Sequence, residues 1–187
     1  MLRRSPVLFN VTASHAEVRN GWEITLEYER EGKGPSLIDL SHCSKWDVQD
    51  ADLSPFRPWG LDIPETPGQC TFQNGILINR MNRTLAACWH LSGTNPEVPK
   101  ESAYTETTDA TMLLALVGKE VFSILEKVSA LDFLSPEKKA PLLLQGPILH
   151  VPCQVVCMAK NNARAAVLFT CSRGYGACMV DGLLSAG

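Results

Sequence analysis

The length, composition and charge of this chain exclude several classes of protein. Its 187 residues are 45% hydrophobic, so the chain can bury a core without support from disulfides or metals. Seventeen basic against twenty acidic side chains give a formal charge of -3, which argues against a nucleic-acid-binding surface. No stretch approaches the roughly 20 apolar residues of a membrane helix, and the start lacks a secretory signal, so we expect a soluble, cytoplasmic protein.

The seven cysteines raise the question of disulfides. Their number is odd, and no Cys-x-x-Cys pair occurs. Cys153 and Cys157 lie in a β-branched run that predicts a strand, where their Cα atoms would be about 13 Å apart, too far for a disulfide. We therefore expect reduced cysteines that act as small buried hydrophobic residues.

The first part of the chain predicts short strands. Residues 22–29 alternate apolar and polar side chains, which is the pattern of a strand with one buried face and one wet face. A turn rich in Gly and Pro follows at residues 32–35. Residues 37–40 resume an extended pattern, and residues 45–48 are a candidate partner strand for them.

Residues 50–68 predict a proline-rich arm, with prolines at positions 55, 58, 64 and 67. Proline removes a backbone donor and disfavours helix at the preceding residue, so we expect an ordered loop or extended arm. The arm is too apolar for a disordered linker, since it carries Phe56, Trp59, Leu61 and Ile63. Two interpretations stay open. The four side chains either cap the protein's own core or dock a partner, because aromatic anchors dominate interface energetics.

A hairpin and a boundary follow the arm. Residues 75–81 and 84–91 predict two antiparallel strands joined by a tight turn. Residues 92–102 contain Gly and Pro and are the best candidate for a boundary. We therefore divide the chain into an N-terminal half, residues 1–101, and a C-terminal half, residues 102–187, and expect the two to pack as one compact unit.

The C-terminal half predicts a ferredoxin-like order of elements. Val121, Leu125 and Val128 recur at helical spacing directly after a fully apolar run, and Pro136 and Pro141 then mark a loop. The order β-α-β-β-α predicts an α+β fold, with the sixth element of a ferredoxin-like unit supplied from elsewhere in the chain. The predicted strand, helix, two strands and closing helix cover residues 111–117, 118–128, 148–159, 163–170 and 174–184.

The sequence carries no local signature of catalysis. His/Cys pairs at residues 42–43 and 88–90 are conceivable metal ligands but lack the spacing of zinc sites, so we predict buried cysteines and ordinary histidines there. Asp39 stands beside a predicted strand, where its carboxylate either binds a ligand amine or caps a turn. We predict no catalytic residue and no metal site.

Several segments of the C-terminal half resemble the gamma subunit of heterotetrameric sarcosine oxidase. They include Arg173, which matches the arginine that opens the last helix of that family. The resemblance implies a non-catalytic subunit of a sarcosine oxidase-like, amine-oxidising complex in folate-linked one-carbon metabolism. Flavin and redox chemistry would belong to the partner subunits, and self-association is a further expectation. The segments that carry the resemblance are residues 107–120, 124–127, 131–132, 146–152 and 169–175.

The N-terminal half is similar, more distantly, to the folate-binding domain of the glycine cleavage T-protein. The similarity lies in residues 39–42 and 72–77 and implies that both halves are ferredoxin-like. In active T-proteins the Gly-Ile-Leu stretch leads into acidic residues, whereas Ile78 and Asn79 stand here. Neither side chain supplies a negative charge, so the resemblance argues against aminomethyl transfer.

An alternative function is a stand-alone folate-binding or small-amine-binding protein. A pterin ring needs an aromatic wall and a carboxylate. Asp39, Trp89 and Tyr104 are the candidate ligand-binding residues, and folate is the cofactor that this alternative implies. A divergent aminomethyltransferase is the third alternative.

Overall fold

The computed structural model describes residues 2–93, 96–97, 99–161 and 164–187, which form thirteen strands and two α-helices. The helices are α1 (Val121–Val128) and α2 (Gly176–Ala186). The strands are β1 (Arg3–Arg4), β2 (Ala13–Arg19), β3 (Trp22–Tyr28), β4 (Ser36–Asp39), β5 (Ser44–Gln49), β6 (Cys70–Gln73), β7 (Ile76–Arg80), β8 (Leu85–His90), β9 (Tyr104–Glu106), β10 (Thr111–Gly118), β11 (Leu142–Ile148), β12 (Val151–Ala159) and β13 (Ala165–Ser172).

These strands form three sheets. The N-terminal sheet has the order β1-β3-β2, the helical sheet the order β11-β12-β13-β10-β4, and the arm sheet the order β6-β7-β8-β5-β9. Within the described residues, β1 and β3 are parallel and the other neighbouring strands are antiparallel. The mixed α+β class predicted from the sequence is confirmed.

The alternation of side chains along each strand explains how the two larger sheets are layered. Along β10, Met112 and Leu114 belong to a cluster beneath the two helices, whereas Leu113 and Ala115 belong to a second cluster shared with the arm sheet. The far side of the arm sheet carries a third cluster, beneath the proline-rich arm. The layers are therefore the helices, the helical sheet, the arm sheet and the arm.

The N-terminal segment is held to the helical sheet by polar contacts. Arg173, just after β13, donates from Nη2 to the backbone oxygen of Arg4 at 2.8 Å. Asp109 forms ion pairs with Arg3 at 3.5 Å and with Arg173 at 4.0 Å. Gly176 at the start of α2 lies so close to the backbone of Pro6 that a Cβ there would overlap it.

Most of the predicted elements are present. The strand predicted at residues 22–29 is β3, the predicted hairpin is β7 and β8, and the apolar run at residues 111–117 is β10. The two predicted helices are α1 and α2, and the second predicted strand pair is β12 and β13. Asn162, between the predicted strands 148–159 and 163–170, and Ala163, at the start of the second of these, lie outside the described residues, as do Thr94, Asn95 and Val98 at the predicted boundary.

Two expectations need correction. Residues 37–40 and 45–48 do not pair, because the chain crosses from the helical sheet to the arm sheet between them, so β4 pairs with β10 and β5 with β8 and β9. The loop expected after Pro141 is largely the strand β11, which lies at a sheet edge, where a proline is tolerated. β4, which joins the helical sheet beside β10 from the N-terminal part of the chain, is the sixth element that the predicted order lacked, and β11 is an additional strand.

The two predicted halves exchange strands. β4, from residues before the predicted boundary, extends the helical sheet, and β9, from residues after it, extends the arm sheet. The pairings of β4 with β10 and of β5 with β9 therefore tie the two larger sheets together at one side.

Candidate functional site

Asp39 ends β4, where the chain leaves the helical sheet. Its Oδ1 accepts a hydrogen bond from the backbone N–H of Ser41 at 2.9 Å, which is the geometry of an Asx turn. The Ser41 hydroxyl oxygen in turn accepts from the backbone N–H of Leu113 at 3.1 Å. This arrangement corresponds to the turn-capping interpretation of Asp39.

Trp89 and Tyr104 lie on opposite faces of the arm sheet. Trp89 is buried in the cluster between the two larger sheets, whereas Tyr104 packs edge-to-face on Phe56 with ring centroids 5.9 Å apart, on the side of the arm. The structure does not bring Trp89, Tyr104 and Asp39 together. Their roles as ligand-binding residues, and folate as the ligand, stay predictions.

The apolar side chains of the proline-rich arm lie against the protein's own third cluster. Ile63 is buried, and Phe56, Trp59 and Leu61 are partly buried around it. The Trp59 ring packs edge-to-face on His90 with centroids 5.3 Å apart, and its Nε1–H donates to the backbone oxygen of Glu97 at 3.3 Å. This packing corresponds to the core-capping interpretation, and partner docking by these four residues stays a prediction.

Lys45 is a buried cation that the sequence reasoning missed. Only 1% of it is exposed, and its Nζ donates to the backbone oxygens of Ser41 at 2.8 Å and Cys43 at 3.1 Å. Its own backbone N–H donates to Thr108 Oγ1 at 3.0 Å. Burial lowers the pKa of Lys45 from its ordinary 10.5 to about 8, so the ammonium ion is only weakly favoured near neutral pH.

The face of the arm sheet that meets the helical sheet carries further polar groups. Asp47 and Asn79 both pair with Ala87, so the three occupy one row across β5, β8 and β7. Burial raises the pKa of the Asp47 carboxyl group. Asn79 is fully buried, and neither polar atom of its side chain has a hydrogen-bond partner among the described residues. Ile78 faces the opposite way, into the third cluster.

The thiols of the arm sheet and its neighbourhood are poor nucleophiles. Burial raises the pKa of Cys43 and of Cys70 to about 11, and it raises the pKa of Cys88 further. These thiols are protonated at neutral pH. Within the described part of the chain, no three side chains of His, Cys, Asp or Glu are grouped so that they could hold a metal ion.

Two of the surface cavities in the described part of the chain lie beside the arm sheet. One, of about 170 Å³, lies between the hairpin turn of the N-terminal sheet and β5 of the arm sheet. The other, of about 320 Å³ and more open, lies between residues 64–71 and residues 138–143. The residues that line these cavities do not include the three predicted ligand-binding residues. Ligand pockets of drug-sized molecules usually enclose roughly 300–1,000 Å³, so the first cavity suits only a small molecule.

The described residues contain no helix that is both long enough and apolar enough to cross a bilayer. They define an α+β protein of layered sheets flanked by two helices.

Comparison with known proteins relates this fold to a subunit of an enzyme complex. No family model matches the sequence, and no curated protein matches it. Among solved structures, a chain of the heterotetrameric sarcosine oxidase from Corynebacterium sp. U-96, in complex with pyrrole 2-carboxylate, superimposes with a TM-score of 0.67. The match covers 83% of this chain and 85% of that chain at 12% identity. The chain therefore has a fold similar to that of a sarcosine oxidase subunit.

Proposed function

We propose that this chain is a non-catalytic subunit of a sarcosine oxidase-like, amine-oxidising complex and corresponds to its gamma subunit. The observation that carries the proposal is the similarity of fold, over most of both chains, to a chain of heterotetrameric sarcosine oxidase. Because the match covers nearly equal shares of the two chains, the two are similar in length. Similar length and a similar fold are what corresponding subunits would show.

The sequence resemblance to the gamma subunit falls on structured parts of the chain. Residues 107–120 contain β10, at the centre of the contacts between the two larger sheets. Residues 169–175 contain the end of β13 and the turn in which Arg173 contacts Asp109 and the N-terminal segment. These segments support the proposal through the packing of the fold.

The chemistry of the described side chains supports a non-catalytic role. Lys45 is inaccessible and its ammonium group is bound to two backbone oxygens. The thiols of Cys43, Cys70 and Cys88 are protonated, and Ile78 and Asn79 stand where the T-protein resemblance would require a carboxylate. None of these groups is an activated base or nucleophile, so the oxidation of an amine would be the work of partner subunits.

The N-terminal sheet offers a surface for those partners. Half of the ten large apolar side chains that are exposed in the described residues lie within residues 2–26. β2 is an edge strand, so it also presents unpaired backbone groups to solvent. We therefore assign the partner contact to this region, with the arm as the alternative. The five exposed side chains are Leu2, Leu8, Val11, Val18 and Leu26.

The test is binding of the purified chain to the flavin-bearing subunits of an amine oxidase encoded in the same genome, measured by biolayer interferometry. Val18 is 63% exposed, so Val18→Glu is expected to leave the fold intact and to weaken binding about tenfold by placing a charge in an apolar contact. Phe72→Glu is the matched control, because Phe72 is an exposed apolar residue of the arm sheet.

Two results would contradict the proposal. The first is the absence of any binding to the flavin-bearing subunits. The second is the oxidation of a methylated amine by the purified chain alone. Equal losses from Val18→Glu and Phe72→Glu would move the partner contact away from the N-terminal sheet and leave the subunit assignment in place.

A further inference from the structure

Two cysteines of the helical sheet face each other across neighbouring strands. Gln154 of β12 pairs with Thr170 of β13, and the two strands are antiparallel. One residue beyond this pair, Cys153 therefore lies opposite Cys171. Both belong to the cluster beneath the two helices, because directly opposite residues point to the same face of a sheet.

The spacing of antiparallel strands suits a disulfide at this position. The Cα atoms of directly opposite residues lie about 4.5 or 5.5 Å apart, and a disulfide needs a Cα separation of about 4.4–6.8 Å. Cys157, further along β12, has no such partner, since Val167 lies opposite it. Among the cysteines of these two strands, which the structure describes in full, Cys153 and Cys171 are the pair placed to form a bridge.

The two thiols already interact in the reduced protein. They are hydrogen-bonded to each other, and this contact lowers the pKa of Cys153 and raises the pKa of Cys171. Cys171 therefore holds its proton, while Cys153 is shifted towards the thiolate, which is the reactive form of a cysteine. Cys43 and Cys88 of the arm sheet region differ, because burial raises the pKa of each.

The pair lies where the two strands begin to separate, which gives a small oxidant access to it. The pairing of β12 with β13 starts at Gln154, so both cysteines lie just outside it. Cys153 is 6% exposed and Cys171 5%, and their neighbours Pro152 and Ser172 are exposed. Segments at the end of a ladder open at a lower free-energy cost than segments at its centre. A molecule of the size of hydrogen peroxide needs only a small opening here.

We propose that Cys153 and Cys171 are a reversible redox pair, which hydrogen peroxide oxidises to a disulfide and two molecules of a small thiol reduce again. The Cys153 thiolate attacks one peroxide oxygen, the O–O bond breaks, and the hydroxide that leaves takes up the Cys153 proton as water. Cys171 Sγ then attacks the sulfenic sulfur of Cys153, the S–O bond breaks, and the Cys171 proton leaves with the oxygen as a second water. Two thiols and one peroxide thus give one disulfide and two waters.

Peptide mapping tests the pair directly. The reduced chain is treated with an equimolar amount of hydrogen peroxide, the remaining thiols are alkylated, and trypsin releases the two cysteines on separate peptides, residues 140–160 and 165–173. We expect the two peptides to appear as one linked species that dithiothreitol separates. Cys157 shares the first peptide with Cys153, so Cys157→Ala assigns the link to Cys153 and is expected to leave it in place.

The thermal unfolding midpoint gives a second readout. A disulfide that joins β12 to β13 closes a loop of the unfolded chain, so peroxide treatment is expected to raise the midpoint by about 5–10 °C. Cys171→Ala is expected to abolish both the linked peptide and this rise. Cys178→Ala is the matched control, because Cys178 is an exposed cysteine of α2, and it is expected to leave both unchanged.

The proposal is overturned if the linked peptide does not form, or if it forms only after denaturant is added. It is also overturned if Cys171 is linked to Cys178 instead, or if Cys171→Ala keeps the full rise in midpoint. None of these results bears on assembly with an oxidase, so failure here leaves the proposed function standing.

Discussion

The helical sheet and the N-terminal sheet both contain antiparallel pairs of strands, but their side chains differ in burial. β10 and β13 of the helical sheet are covered on both faces, by the helices on one and by the arm sheet on the other. β2 of the N-terminal sheet is exposed along nearly its whole length. The comparison suggests that one sheet supplies the stability of the protein and the other its contacts with other molecules.

The largest expected effect is on the core of the helical sheet. Leu114 is fully buried in β10, so Leu114→Ala is expected to lower the free energy of unfolding by about 2–5 kcal/mol through lost contacts and a cavity. Leu26→Ala, in β3 of the N-terminal sheet, is the matched control: Leu26 is 39% exposed, and the loss is expected to be under about 1 kcal/mol. Urea unfolding measures both. Similar losses of unfolding free energy from the two variants would contradict the conclusion that the helical sheet supplies the stability of the protein.

Lys45 is expected to make stability depend on alkaline pH. The pKa of Lys45 is about 8 in the folded protein, against 10.5 for an ordinary exposed lysine. Between these pH values the unfolded chain binds more protons than the folded chain, so stability rises with pH. Each pKa unit is worth about 1.4 kcal/mol, which gives a rise of about 3 kcal/mol across this range. The thiols of Cys43 and Cys70 have the opposite effect on stability, because their raised pKa values make stability fall above pH 9.

The contribution of Lys45 is isolated by Lys45→Met, which has similar volume and no charge. The difference in unfolding free energy between the wild type and this variant is expected to grow in favour of the wild type from pH 8 to 10.5. A difference that stays constant with pH would show that Lys45 has an ordinary pKa in the folded protein.

A change at Asn79 is expected to have a smaller effect on the free energy of unfolding, opposite in sign to that of Leu114→Ala. Its buried amide has no partner among the described residues, so Asn79→Leu is expected to stabilise the protein by about 1–3 kcal/mol, measured by urea unfolding. Asn82→Leu is the matched control and is expected to destabilise, because Asn82 Oδ1 accepts hydrogen bonds from Thr84. Destabilisation by Asn79→Leu would reveal a polar partner between the sheets.

The sequence predicted the fold best where one periodicity dominates. The sequence patterns of three elements fit few other structures. These are β3, with one buried and one exposed face, the strongly apolar β10, and α1, with apolar residues at positions 121, 125 and 128. β11 was missed because Pro147 and Gly146 lie within it, and only its place at the edge of the sheet makes them acceptable.

The buried polar site was harder to predict than the fold. Lys45 and Asp47 alternate with Trp46 and Val48, a pattern that indicates a wet face for the two charged residues. That face is covered by a second sheet, which local sequence does not show. The cavity beside Trp46 depends on Arg3 and Arg19, which are distant from Trp46 in the sequence and meet it only in the folded chain.

The central claim is that the chain is a subunit of an oxidase-like complex, and the mass of the assembled species tests it most directly. Light scattering after size-exclusion chromatography of the chain mixed with the flavin-bearing subunits is expected to give one peak, whose mass includes this chain in a fixed stoichiometry. Elution of the chain in a separate peak, with the mass of the other subunits unchanged, would contradict the account.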